Sequence, residues 1–363
     1  MASILAVFGG KSNENEISTV TGTLAANVLK KGGEDIAALY ISPEGDFYTG
    51  EELLDIKTFK DDGYKNCARA QVVKGGVYTL SRRGKPKKFT PVSAALNCCH
   101  GGLGEGGGLE GLFSMNGIPL VGAGLFASSA FIDKYLTKTV LKGLGVRTPP
   151  HAYVREGESI APAKKLLPAV LKPARLGSSI GVTVVKTEKE LEDAFAAALH
   201  YDGAVIVEKF ISPRREINCA AYRKGGEVIL SECEEALSSG ELLSFEDKYQ
   251  GGGKSVCPAD IPQSTAQEIK KTVRTVYTKL NMRGIVRFDF LVSGEDIFLL
   301  EVNTVPGSLG WYLFAKDFKS FYPVLRAVID EELSAFKAEQ KKRVLHTGIL
   351  QNIPSNACKR GAK

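Results

Sequence analysis

The sequence predicts an α/β protein of two or three domains, and three observations carry that expectation. The chain has 363 residues and 44% apolar content, enough for more than one core. Strand-like and helix-like segments alternate along it. Near the C-terminus, residues 286–292 and 297–302 read as apolar strands joined by Ser293-Gly294-Glu295-Asp296, which makes a hairpin. The formal charge of +6 is modest, and its basic residues are scattered apart from runs at 82–88 and 341–343 that read as solvated loop or helix ends. A nucleic-acid binder would need a stronger basic footprint.

In chain order, the first strand covers residues 3–8 and begins without a basic leader and cleavage site. No apolar run reaches the roughly 18 residues of a membrane span, so a cytoplasmic protein without membrane contact is expected. Gly9-Gly10-Lys11-Ser12 ends that strand before a helix over 17–31. It is no P-loop, because a Walker A motif would need glycine where Leu5 stands. Residues 45–95 read as a less regular insertion with a hairpin-like piece at 72–78. Gly102-Leu-Gly104-Glu-Gly-Gly107 is a literal GxGxxG, but with no opening βαβ unit and no ribose-binding acid it is a weak basis for a Rossmann-type oxidoreductase.

Turn signals at 119–124 close the first domain, and a helix over 128–144 ends before Pro149-Pro150. Strands at 167–171, 182–186 and 204–208 form a second, smaller domain. A third starts near Ile211, with a helix at 264–280 before the hairpin and another at 318–342 after it. The expected division is 1–122, 123–211 and 212–345, followed by a poorly ordered tail over 346–363. Seven cysteines, an odd number without CxxC spacing, fit free thiols in a reducing compartment.

Chemistry concentrates in two segments. In the hairpin, side chains two apart share a face, which pairs Arg287 with Asp289 and Glu301 with Asn303. Two carboxylates and an amide are hard oxygen donors suited to Mg²⁺, an ion that completes its shell with water and substrate phosphates. The implied substrate is a nucleotide. The apolar run 298–300 should bury the hairpin and make unpaired acids costly. The second segment is Val170-Leu-Lys172-Pro-Ala-Arg-Leu-Gly177-Ser178-Ser179-Ile-Gly181-Val182, where a strand delivers a lysine and a small-residue loop offers backbone N–H groups to phosphate oxygens.

R-F-D followed by L-E-V-N-T-x-P-G resembles the metal-binding strands of the ATP-grasp ligases. The remaining motifs narrow the resemblance to the D-alanyl-D-alanine ligase family, over nearly all of residues 1–330. It implies a three-domain ATP-grasp fold with an N-terminal doubly wound parallel sheet. It also implies a role for each matching residue. Glu14 would anchor the ammonium of the first D-alanine, His100 would lie close to that substrate, and Ser178 would help to hold it beside Ser179 in the lid loop. Lys134 and Lys172 would contact phosphates. Glu208, Lys209 and Ile211 would form the adenine hinge, with Glu216 binding ribose, although Pro213-Arg214-Arg215 makes that link one residue longer than usual. Lys248 would face the γ-phosphate from a mobile loop, and Tyr249 would complete a triad with Ser178 and Glu14. Asp289, Glu301 and Asn303 would hold two Mg²⁺ or Mn²⁺ ions, while Arg287 and the Gly307 N–H would stabilise an oxyanion.

The sequence departs from the family after Gly307, where Ser308 and Leu309 would hold the second substrate's carboxylate from a shifted position. The resemblance implies ATP-driven joining of two D-alanines through an acylphosphate, for peptidoglycan precursors, in a cytoplasmic homodimer. D-Serine or D-lactate as acceptor are alternatives, and Tyr249 speaks against D-lactate. A nucleotide-binding regulator that lost catalysis is a further alternative, opposed by the joint retention of Lys172, Arg287, Asp289, Glu301 and Asn303.

Overall fold

The computed structural model describes residues 2–237, 254–342 and 347–352. Its first sheet begins with β1 (Ser3–Gly9), helix α1 (Asn15–Lys31) and β2 (Ile36–Ile41). The sheet continues through β3 (Phe47–Thr49), β4 (Ala68–Val73), β5 (Gly76–Leu80) and the long β6 (Pro86–Asn97). After α2 (Gly102–Glu105) and α3 (Gly108–Met115) it closes with β7 (Leu120–Val121). The order β2-β1-β6-β7 is parallel throughout. From β1 the chain crosses to one side and from β6 to the other, so the strand order reverses between them, and ligands bind at such a point.

Residues 45–95 are irregular only in part, through 3-10 turns at Glu51–Leu54 and Ile56–Asn66. They carry an antiparallel excursion that leaves β2, runs through β3, β4 and β5, and returns along the first half of β6. Short strands interleaved with Gly, Lys and Pro hid the period-2 pattern. The GxGxxG run does sit in a βαβ crossover, between β6 and β7, contrary to expectation. Alternate residues of β1 serve both faces of the sheet. Ile4, Ala6 and Phe8 pack with Ala25 and Leu29 of α1, whereas Leu5 and Val7 pack with Leu109 and Phe113 of α3.

Helices α4 (Leu125–Phe131) and α5 (Lys134–Gly143) replace the single helix expected at 128–144. The break comes from Asp133, whose carboxylate accepts from the Tyr135 and Leu136 N–H groups at 2.9 and 3.0 Å and so starts a new helix. A second sheet, ordered β10-β9-β11-β8, comprises β8 (His151–Arg155), β9 (Ala169–Pro173), β10 (Thr183–Val185) and β11 (Ala204–Lys209). Helices α6 (Ala161–Lys164) and α7 (Glu188–Ala198) cover it. Neither β8, which starts directly after Pro149-Pro150, nor α7 was read from the sequence.

The third sheet has the order β15-β14-β12-β16-β17, with β13 beside β12. Its strands are β12 (Arg215–Lys224), β13 (Glu227–Leu230), β14 (Glu234–Ala236), β15 (Ser255–Val256), β16 (Val286–Ser293) and β17 (Asp296–Asn303). One face is apolar, through Ile217, Cys219, Phe288, Phe290 and Val302, and packs on α8 (Gln263–Lys279) and on α4 and α5. Helix α9 (Tyr322–Gln340) packs on β12 of this sheet and also reaches beyond it. Its Val324, Leu325, Val328 and Ile329 join Ile4, Ala6 and Phe8 in the first core, so the end of the chain closes its beginning. In the expected tail, α10 (Ile349–Asn352) is a helical turn; residues 346 and 353–363 lie outside the described residues. The six cysteines among the described residues are unbridged, and the basic side chains at 82–88 are exposed.

Candidate active site

The carboxyl ends of β1 and β6 present two loops side by side. Glu14 immediately precedes α1, and a Cβ at Gly101 or Gly177 would come within 2.7 or 2.8 Å of its Oε2. Gly101, with φ of 67°, and Gly177, in the loop after β9, thus leave room for the carboxylate. The Ser178 hydroxyl donates to Glu14 Oε1 across 164 residues of sequence. Ser178 and Ser179 are both left-handed, with φ of 53° and 59°, conformations that cost about 1–3 kcal/mol each for residues other than glycine. Arg175 anchors the same loop, donating through its N–H and guanidinium to Asp202. Lys11, Glu14, Gly101, Arg175, Gly177 and Tyr201 line the resulting cleft of about 330 Å³.

On the far side of this loop stands a buried charge cluster. Lys172 of β9 and Glu208 of β11 lie on one sheet face in diagonal register, because Val170 is the direct partner of Glu208. Lys172 Nζ is 2.8 Å from Glu208 Oε2, and Lys138 Nζ is 2.7 Å from Oε1. Burial alone would raise the Glu208 pKa, but the two ammonium groups outweigh it and hold the acid at about 2. For Lys172, Glu208 and Glu301 overcome the opposing effect of burial and raise its pKa. Lys138 also donates to the Leu300 carbonyl at 2.7 Å. That carbonyl is available because Leu300 is the extra residue of a bulge: Asp289 pairs with Glu301 while Phe290 pairs with Leu299. Lys134 donates to the Leu176 carbonyl and lies 3.9 Å from Glu301 Oε1, the same distance as Lys172.

The polar face of the third sheet completes the arrangement. Register places Glu234, Asn218, Asp289 and Glu301 in one row across four strands. Arg287 grips both oxygens of Asp289 at 2.7 and 2.9 Å and reaches the Tyr312 hydroxyl at 3.3 Å. Burial works against its charge, but Asp289 and Tyr312 raise its pKa well above the ordinary value. The Asn303 amide donates to Asp289 Oδ2 at 2.8 Å. Among the described residues no cluster of three or more His, Cys, Asp or Glu side chains forms a metal site. The sequence-derived set has two carboxylates and one amide, so it does not depend on such a cluster.

The expected nucleotide hinge follows β11. Glu208 turns its carboxylate onto the lysines, Lys209 is exposed and Ile211 is half-buried. Glu216 of β12 sits 3.4 Å from the Arg214 guanidinium, which stacks on Phe210. Lys248 and Tyr249 lie outside the described residues. After Pro306 the chain makes a left-handed turn through Ser308, Leu309 and Gly310. The Leu309 side chain is core and its N–H donates to Pro306 O, while the Ser308 N–H donates to Thr21. The Ser308 hydroxyl and the Gly307 backbone are what this turn can offer a ligand.

Sequence reasoning missed Asn218, Glu234 and Glu105 as neighbours of the site. Glu105 bridges the first unit to the turn after Asn303: its Oε2 accepts from the Gly101 N–H at 2.8 Å and its Oε1 from Thr304 Oγ1 and the Val305 N–H at 3.2 and 3.3 Å. Burial, with help from Glu14, raises its pKa to about 7 against those hydrogen bonds. A carboxylate thus occupies the Gly101 N–H, just before the GxGxxG run. Glu105 stood inside a quoted motif, but only the fold reveals its partners.

Comparison with known proteins follows the same division of the chain. The family described as D-ala D-ala ligase N-terminus matches residues 3–123, and that described as D-ala D-ala ligase C-terminus matches residues 141–321. A D-alanine--D-alanine ligase of Thermosipho melanesiensis is 33% identical over 97% of this chain and 99% of its own. Among solved structures, the D-alanine-D-alanine ligase of Helicobacter pylori is 29% identical with a TM-score of 0.76, over 90% of this chain and 98% of that one. The VanG D-Ala:D-Ser ligase of Enterococcus faecalis is 26% identical with a TM-score of 0.76, over 90% and 99%.

Proposed function

The chain belongs to the D-alanine–D-alanine ligase family, and on that premise we propose a division of labour among the residues of its site. The protein is an ATP-dependent ligase of ATP-grasp fold that joins two D-alanine molecules for peptidoglycan synthesis. The observation that carries the residue roles is the meeting of Glu14 with Ser178, which places a carboxylate beside a phosphate-type loop. A substrate with an ammonium at one end and a carboxylate at the other fits between Glu14 and the lysines.

Glu14, with Ser178, holds the ammonium of the first D-alanine, and His100 borders it. Lys134, Lys172 and the Ser179 loop bind ATP phosphates, Glu208, Lys209 and Ile211 form the adenine hinge, and Glu216 serves the ribose. Lys248 serves the γ-phosphate and Tyr249 the first-substrate side. The first carboxylate attacks the γ-phosphorus and ADP leaves, giving an acylphosphate. The amine of the second D-alanine then attacks the carbonyl carbon, and inorganic phosphate departs. Arg287 and the Gly307 N–H face the oxyanion of that second step, and the Ser308 hydroxyl, next to Leu309, takes the acceptor carboxylate.

Asp289, Glu301 and the Asn303 amide fit Mg²⁺ or Mn²⁺. All are hard oxygen donors, and because Asn303 spends its N–H on Asp289, its amide oxygen is left as the donor that turns away. Ions held there would supply charge neutralisation on the phosphate oxygens during transfer. Functionally the chain divides into segments 1–122, 123–211 and 212–345. No helix among the described residues is long and apolar enough to cross a membrane, and a cytoplasmic location suits the substrates.

The test is phosphate release with ATP, Mg²⁺ and a panel of D-alanine, D-serine and D-lactate. Release with D-alanine alone is expected; nucleotide binding without release in every mixture would make the protein a regulator and sink the proposal. A homodimer is supported by Leu103, Met115 and Phe126, which are 81%, 89% and 86% exposed on the adjoining helices α2, α3 and α4. Sedimentation should show a dimer that Phe126→Glu converts to monomer; a wild-type monomer at micromolar concentration rejects this part of the reading.

A further inference from the structure

We propose that Thr21 is a positioning residue for the second-substrate site, setting the turn after Gly307 through one hydroxyl shared between the His100 ring and the Ser308 main chain. The inference rests on the ligase reading above. Thr21 lies in α1 with 1% exposure. A threonine within a helix ordinarily bonds back to the carbonyl four residues earlier. Thr19 and Thr23 do so, to Asn15 O at 2.9 Å and Thr19 O at 2.8 Å. The Thr21 hydroxyl instead lies 2.8 Å from His100 Nε2 and accepts from the Ser308 N–H at 3.1 Å.

The directions of these bonds follow from the ring. Burial pushes the His100 pKa down to about 4, so the imidazole is neutral, with one donor and one acceptor nitrogen. Its backbone hydrogen bond with Val305 favours the charged ring, as expected when a ring N–H donates to a carbonyl. Nε2 is then the acceptor, Thr21 O–H donates to it, and a hydroxyl lone pair remains for the Ser308 N–H. The relay ties both ends of the 305–308 turn to the first unit.

The turn needs such a tie, because Ser308 and Leu309 are left-handed, with φ of 50° and 53°, a conformation that residues other than glycine hold only when surroundings enforce it. If the relay slackens, the Ser308 hydroxyl and the Gly307 N–H lose their aim at the acceptor. The nucleotide side, built on β9, β11 and β17, is untouched.

The experiment compares Thr21→Val, which keeps shape and removes the hydroxyl, with Thr21→Ser, which keeps the hydroxyl, in steady-state ligation by the full chain. Thr21→Val should raise KM for the second D-alanine about 10-fold, as expected for a buried hydrogen bond left unpaired, with KM for ATP unchanged. Thr21→Ser should restore the wild-type value. If Thr21→Val does not fold, Thr21→Ala should give the same split; failure of both to fold assigns the hydroxyl to the core and overturns the proposal. A parallel rise in both KM values, or an unshifted second KM, also overturns it. Wild-type enzyme runs alongside: no ligation there would instead defeat the ligase reading itself.

Discussion

Glu301→Gln is expected to remove turnover almost completely while leaving the fold intact. The side chain sits opposite Asp289 in the β16–β17 register, with Lys134 and Lys172 each 3.9 Å from its Oε1. Glutamine preserves its size and removes its charge. Losing an anionic ligand of the phosphate-neutralising metals forfeits several kcal/mol of transition-state stabilisation, or about three orders of magnitude in rate. About a third of the side chain is exposed, so thermal stability should move little. Two measurements check this: phosphate release at saturating Mg²⁺, and Mn²⁺ binding in the presence of nucleotide, followed by electron paramagnetic resonance. Wild-type rate together with wild-type Mn²⁺ affinity would remove Glu301 from the metal site.

Arg287→Lys should be nearly as damaging although it conserves charge. The guanidinium holds both Asp289 oxygens and the Tyr312 hydroxyl at once, and an ammonium cannot reproduce that planar fork. Loss of one preorganised donor to an oxyanion costs about 10²–10³ in kcat. Since Arg287 is proposed to act in the second step, KM for ATP should change far less than kcat. A lysine variant within tenfold of wild-type kcat would mean that Arg287 organises Asp289 and does not meet the reacting oxygen.

The hairpin was legible in the sequence for a local reason. Alternation along 286–292 and 297–302 specifies both the strands and the face on which Arg287, Asp289, Glu301 and Asn303 emerge, and the structure returns that face. The bulge at Leu300 was not legible, because an apolar residue placed off the ladder looks the same in sequence as one within it. The helix break at Asp133 was missed for a similar reason: Asp133 lies inside an otherwise helical pattern, and only its side-chain bonds to Tyr135 and Leu136 reveal a cap.

By itself the sequence determined which chemical groups are present and which neighbours along a strand share a face, since these follow from period-2 geometry within a few residues. It could not determine which distant segments share a space. Glu105 meets Val305, and Thr21 meets both His100 and Ser308; the meeting of Glu14 with Ser178 was expected only through the family resemblance. A helix over 318–342 that closes the fold was expected, but not that its apolar face would enter the first core or that Glu208 would neutralise two lysines. Those pairings were decided only when burial removed water as a partner, because a polar group taken out of solvent must find another within the fold.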